Sequence, residues 1–147
     1  MATVKGVFKT LIDTGTIASR LDSGVGDGRI KVLQDSYEAA GDLAGTIIEM
    51  GQDLPKGARI EDVILHTDDL GNNATLIVGD YEDDNRYITA IDHGAGAELV
   101  SRLNAIAGRD YKIDLTDSDN PDTQIIITSA VAAITGTIKL IVLYTKD

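Results

Sequence analysis

The chain has 147 residues, the size of one domain, and a domain of that length buries roughly 70% of its unfolded surface without help from a disulfide or a metal. It carries 24 acidic against 13 basic residues, a formal charge of −11. Such a surface repels phosphate backbones and anionic lipid heads, so nucleic acid and membrane are not expected partners.

No cysteine is present, which excludes disulfides, thiolate catalysis and thiolate metal sites. Residues 1–12 mix Lys5 and Lys9 with isolated apolar side chains and lack the continuous apolar core of a signal peptide. The longest apolar runs are strand-sized, too short to cross a bilayer. A soluble protein made in a cytoplasm is expected. The pattern divides the chain into residues 1–28 and a β-sandwich domain over 29–147. The first part, punctuated by Gly15, Gly24, Gly26 and Gly28, reads either as an extended arm or as a first strand of the same sandwich.

From residue 29 onward, short strands alternate with turns. Residues 29–35 alternate Ile30 and Val32 with Lys31, and 46–50 are rich in β-branched side chains. Leu54-Pro55-Lys56-Gly57 is a turn signal. Residues 60–67 place Val63 and Leu65 on one face but not Ile60, which predicts a bulge near Glu61 and Asp62. Residues 75–78 and 86–91 flank an acidic loop, 80–85. Over 97–106, Leu99, Val100, Leu103 and Ile106 fall near helical spacing, so one short helix competes with an irregular strand and loop. Tyr111, Ile113 and Leu115 alternate with Lys112 and Asp114 as a half-buried strand would, and 124–128 form another. The last strand, 137–145, sets Ile138, Leu140, Val142 and Tyr144 on one face and Ile141 and Leu143 on the other. Two partly apolar faces predict a central position or a covered outer face. The expected fold is all-β, an antiparallel β-sandwich of jelly-roll type with at most one short helix.

The search for chemistry finds little. The histidines, His66 and His93, stand beside aspartates, but no Gly-x-Ser-x-Gly elbow offers a nucleophile, so both are expected to be exposed or rim residues. Asp117, Asp119 and Asp122 begin like a calcium loop. Pro121 then sits where an oxygen ligand belongs, Asp122 replaces the glycine and no Glu closes the loop. These three are weak calcium candidates, and solvated acidic turns are the simpler reading of both acidic runs. No metal or cofactor is expected. Tyr37, Tyr81 and Tyr87 are the candidates for an aromatic sugar platform.

Several segments carry a resemblance. Gly28-Arg29-Ile30-Lys31-Val32 leads into Asp35-Ser36-Tyr37-Glu38, followed by Gly45-Thr46-Ile47-Ile48-Glu49-Met50-Gly51 and Leu54-Pro55-Lys56-Gly57-Ala58. Leu76-Ile77-Val78-Gly79-Asp80 then precedes Asn85-Arg86-Tyr87-Ile88, and the chain closes with Thr135-Gly136-Thr137-Ile138-Lys139-Leu140 and Val142-Leu143-Tyr144. From about residue 28 to the end, the chain resembles the capsid decoration (cement, head-stabilising) proteins of tailed bacteriophages. These are strand and turn signatures rather than catalytic fingerprints. The resemblance implies a jelly roll that forms a homotrimer on the capsid exterior, bound to the major capsid protein at three-fold positions, with no enzymatic residues. The protein would be made in the bacterial host cytoplasm and end in the virion. On that model Val4, Val7, Phe8, Leu11 and Ile12 anchor the arm to the capsid, and Ile141 and Leu143 supply subunit contacts. The alternative is a virion receptor- or carbohydrate-binding sandwich, such as a head fibre or a neck or tail accessory.

Overall fold

The computed structural model describes residues 1–6, 9, 10, 13, 30–97 and 99–146. Among the described residues nine strands follow in order: β1 (Thr3–Lys5), β2 (Lys31–Asp42), β3 (Ile47–Met50), β4 (Arg59–Thr67), β5 (Thr75–Gly79), β6 (Ile88–Asp92), β7 (Val100–Arg102), β8 (Ile125–Ala130) and β9 (Ile134–Thr145). They form a five-stranded sheet, β1-β3-β8-β5-β6, and a four-stranded sheet, β2-β9-β4-β7. Setting β1 aside, the chain pairs as a folded hairpin: β2 with β9, β3 with β8, β4 with β7 and β5 with β6, all antiparallel. This nested pairing, rolled into two facing sheets, is the jelly roll.

The core lies between the sheets, where the inward side chains of alternating positions meet. Ile48, Leu65, Leu76, Val78, Ile125, Ile127, Leu140 and Val142 are fully buried. Strand β9 is central, pairing with β2 on one side and β4 on the other. The expected bulge is present: the β4–β9 register shifts between Ile60 and Asp62, which lets Ile60 share the buried face with Val63 and Leu65.

Of three expectations, the first and last need correction, and the one left open over 97–106 is decided for the irregular strand and loop. Strand β2 runs seven residues beyond the expected end at Asp35, to Asp42, because β9 supplies a partner at nearly every position and overrides the weak strand preference of Ala39-Ala40-Gly41. The helical spacing over 97–106 is not used. Leu103 turns inward, its N–H bonded to the Val63 carbonyl, while Leu99, Val100 and Ile106 are exposed. Strand β7 and a 3₁₀ turn (Ile106–Gly108) form instead. The third concerns the expected strand at 111–115, which contributes a single bridge, Arg59 to Lys112. Its alternation fails at Leu115, which takes φ 53° and is exposed.

Thr3–Lys5 pairs in parallel with β3 as an edge strand of the sandwich. Most of residues 7–29 lies outside the described residues, including Val7, Phe8, Leu11 and Ile12. No helix among the described residues is long and apolar enough to cross a membrane.

Leu140 sits at 0% exposure in the strand that both neighbours depend on. Leu140→Ala is expected to cost about 2–5 kcal/mol, read as a lower urea midpoint with an unchanged slope.

Candidate functional site

Three clusters of polar groups sit among the strands. The first joins the β5–β6 loop to the segment before β8. Asp80 is fully buried at the end of β5 and accepts a 2.7 Å bond from Arg86 Nε. It also accepts the N–H groups of Glu82 and Asp83. Arg86 bonds Glu82 at 2.8 Å and lies 3.9 Å over the Tyr111 ring, which meets Tyr87 edge-on. The Tyr111 hydroxyl donates to Asp122 Oδ2 at 2.7 Å, and the same carboxylate takes the N–H groups of Asp114 and Leu115. Burial pushes the Asp80 carboxyl above its ordinary value, against the pull of Arg86 and the two N–H groups. At Asp122, burial is outweighed by the Asp114 N–H, the Tyr111 hydroxyl and the Leu115 N–H, which hold the carboxyl below its ordinary 3.8.

Both acidic runs are exposed or half-buried turns at most positions, but one residue of each, Asp80 and Asp122, is buried. Asp80 and Asp122 are internal anchors. Of the weak calcium candidates, Asp122 spends both oxygens on three donors, and Asp117 Oδ1 takes the Asp119 and Asn120 N–H groups. Asp119 is exposed. No group of acids and histidines among the described residues is arranged to hold a metal ion.

The second cluster is built on Asp35 of β2, whose carboxylate takes the N–H groups of Gly51, Lys9 and Ser36. It ties the N-terminal segment and the end of β3 to the other sheet. Gly6 passes so close that an added Cβ would overlap the Asp35 carboxylate, so a larger residue there requires Asp35 and Met50 to shift.

In the third, His93 Nδ1 lies 2.8 Å from Thr67 Oγ1 and Nε2 lies 3.2 Å from Ser101 Oγ. A serine beside an imidazole suggests a nucleophile and its base. However, His93 and Ser101 are 0% and 1% exposed, so no substrate reaches them. The expectation of two exposed or rim histidines holds for His66 and fails for His93. Its backbone is clamped by the β4–β5 connection, with the Leu70 N–H on its carbonyl and its own N–H on the Ala74 carbonyl.

The three candidate tyrosines are not assembled into a platform. Tyr87 is fully buried, Tyr37 bonds Asp42, and Tyr81 bonds Glu49 on β3. Burial and then the Asp42 carboxylate push the Tyr37 phenol up to about 12.

The accessible surface with both shape and chemistry is the outer face of the four-stranded sheet. Ile141 and Leu143 are half-buried there, in register with Ile64 and Asp62 of β4 and Gln34 and Val32 of β2. A hollow of about 250 Å³ is lined by Gln34, Ser36, His66, Lys139 and Ile141 over the backbone of Asp35 and Leu140. Sequence periodicity found Ile141 and Leu143, but not His66 and Lys139, which only cross-strand register brings together. Val4, the one of the five candidate anchors among the described residues, is half-buried against the core from β1.

These features define a two-sheet jelly roll in which the serine–histidine pair is internal and a sheet face carries an open hollow. No protein-family model matches the chain, and no curated protein matches it in sequence. Solved structures similar to the chain include two from phage capsids. A chain in the capsid asymmetric unit of cyanophage Pam1 is 27% identical with a TM-score of 0.71, over 85% of this chain and 91% of that one. A chain in the capsid of Ralstonia phage GP4 is 21% identical with a TM-score of 0.68, over 99% of both, and shares the fold.

Removing the Asp80 carboxylate leaves the Arg86 guanidinium buried without its closest partner. Asp80→Ala is expected to cost about 3 kcal/mol in chemical denaturation. Asp122 stabilises the fold while ionised, because its folded pKa lies below its unfolded value. That contribution is complete above pH 3.8 and is lost as pH falls through the folded pKa. The stability gap between the wild type and Asp122→Asn is therefore expected to be full at pH 6 and to close at the acid end of a urea-midpoint series.

Proposed function

We propose that this chain is a structural component of a phage capsid, specifically a decoration protein that binds the outside of the head as a homotrimer and stabilises it. The observation that carries the reading is the likeness to the Pam1 capsid chain over 85% of this sequence at 27% identity. The likeness to the GP4 capsid chain supports the fold that the role requires. The buried placement of Ser101 and His93 is consistent with a protein that docks and does not catalyse.

A decoration protein acts by bridging capsid subunits. Several weak contacts made at once give an avidity far above that of any one of them. A closed trimer presents three identical attachment points, which suits a three-fold position on a shell. On this reading the major capsid protein is the partner, and the N-terminal side chains Val7, Phe8, Leu11 and Ile12 make the attachment. Val4 serves at the base, where β1 leaves the sandwich. Ile141 and Leu143 contribute to contacts between subunits.

The test uses heads of the protein's own phage assembled without it. Full-length protein is expected to co-sediment with them and to raise their resistance to heat, and light scattering of free protein should give the mass of a trimer. Phe8→Asp with Ile12→Asp is expected to abolish co-sedimentation while the unfolding midpoint stays within error of the wild type. Undiminished binding by that double variant rejects the arm as the anchor. Failure of the unmodified protein to bind rejects the decoration role.

A further inference from the structure

The chain leaves β1 at Gly6 and bends at once. The Gly6 N–H bonds the Glu49 carbonyl at 2.7 Å, so this residue still belongs to the edge of the five-stranded sheet. Its own carbonyl accepts the Thr10 N–H at 2.9 Å, the four-residue step of an α-helix, and Lys9 and Thr10 are helical. Gly6 therefore stands at the N-cap, and Lys9 is the third residue after it. The first N–H groups of a helix have no partner within it, and an N-cap side chain ordinarily takes the one at this third position. Gly6 has no side chain to offer. The acceptor comes instead from Asp35, 26 residues farther along, whose Oδ2 takes the Lys9 N–H at 3.1 Å.

Asp35 holds this segment to the body of the sandwich as well as capping it. It is 3% exposed, and the same Oδ2 takes the Gly51 N–H at 2.8 Å at the end of β3. One buried oxygen thus joins both sheets to the start of the chain. The bare position 6 is a requirement of the arrangement, since an added Cβ would overlap this carboxylate and lie 2.9 Å from Met50 Sδ. Ion pairs reinforce the seat: Asp13 pairs with Lys9 at 3.4 Å and with Lys5 of β1. In sequence, Val7 and Phe8 lie between Gly6 and Lys9, and Leu11 and Ile12 between Thr10 and Asp13. The held positions and the side chains assigned to attachment alternate along one stretch.

We propose that Asp35 is a positioning residue for capsid attachment. It caps, from another strand, the turn that opens at Gly6, and so presents Val7, Phe8, Leu11 and Ile12 from a segment fixed to the sandwich and not from a free tether. This rests on the attachment role given to those side chains above and adds what controls it. A segment ordered before it binds loses less conformational entropy on binding, and fixed segments on several copies engage together. Asp35 itself is buried, so it acts on binding only through the segment it holds.

The test uses the full chain in two assays. The first is cleavage by a lysine-specific protease, read by mass as loss of residues 1–9, which reports how often this segment opens. The second is binding to heads of its own phage assembled without it. Asp35→Asn and Gly6→Val are each expected to speed the cleavage about tenfold and to weaken head binding by a similar factor, with every attachment side chain in place. Gly6→Val acts where the chain leaves a three-residue edge strand, so it reports on the clamp even where Asp35→Asn does not fold. Leu76→Ala, which weakens the core and leaves the clamp intact, should change neither reading. Cleavage no faster in either variant overturns the clamp. Faster cleavage with undiminished head binding overturns the positioning role and leaves the decoration reading standing. A wild-type chain that does not bind heads overturns both.

Discussion

Strand β9 has no free edge, and the rest of the sandwich is organised by that fact. Its twelve residues bond to β2 along one side and β4 along the other, while Ile138, Leu140 and Val142 face the second sheet. A strand in that position must bury one face, keep all its main-chain groups paired and remain extended without a break. Ile, Val and Leu at alternating positions meet those demands. The first long strand, β2, can be built from less strand-prone residues because it is templated by the last. This order of dependence explains why pairing partners nearly the whole chain apart, such as Val32 and Leu143, define the sheet.

The second constraint is electrostatic. A chain with so many carboxylates has to place some of them where loops need fixing, because connections in a sandwich lack a ladder of their own. Asp35 and Asp122 do this by accepting backbone N–H groups from other segments, and Asp80 by accepting those of Glu82 and Asp83 in its own loop. Each binds two or more donors, so the cost of removing a carboxylate from water is offset by charge-assisted bonds. Arg86 and the Tyr87–Tyr111 pair then close the largest of these anchors into one buried unit.

Strand positions and sandwich class were largely legible in the sequence because period-two alternation is a local signal. The β4 bulge was legible for the same reason: Ile60 was out of phase with Val63 and Leu65, and an inserted residue is the cheapest correction. What was not legible depended on contacts made across the fold. Alternation over Tyr111, Ile113 and Leu115 mimicked a strand, yet Asp122 captured the N–H groups that a ladder would have used. Asp80 and Asp119 look alike in sequence, and only the tertiary position of Arg86 makes one buried and leaves the other in solvent. His93 looked like a loop residue and is internal, its backbone clamped by the β4–β5 connection at Leu70 and Ala74. The pairing of His66 with Lys139 exists only through register between strands far apart in the chain.

The same separation of local from distant signals bears on function. A catalytic site would require ionisable groups to converge in an open cleft, and in this fold the convergent groups are the ones sealed inside to hold loops. What stays accessible is broad: a sheet face, an exposed acidic loop and the beginning of the chain. Surfaces of this kind suit attachment, where many modest contacts are summed, and a rigid sandwich keeps them at fixed separations so that they engage together. Copies charged at −11 repel each other over a Debye length, so any association between them has to be driven at short range by apolar fit and locally opposite charge.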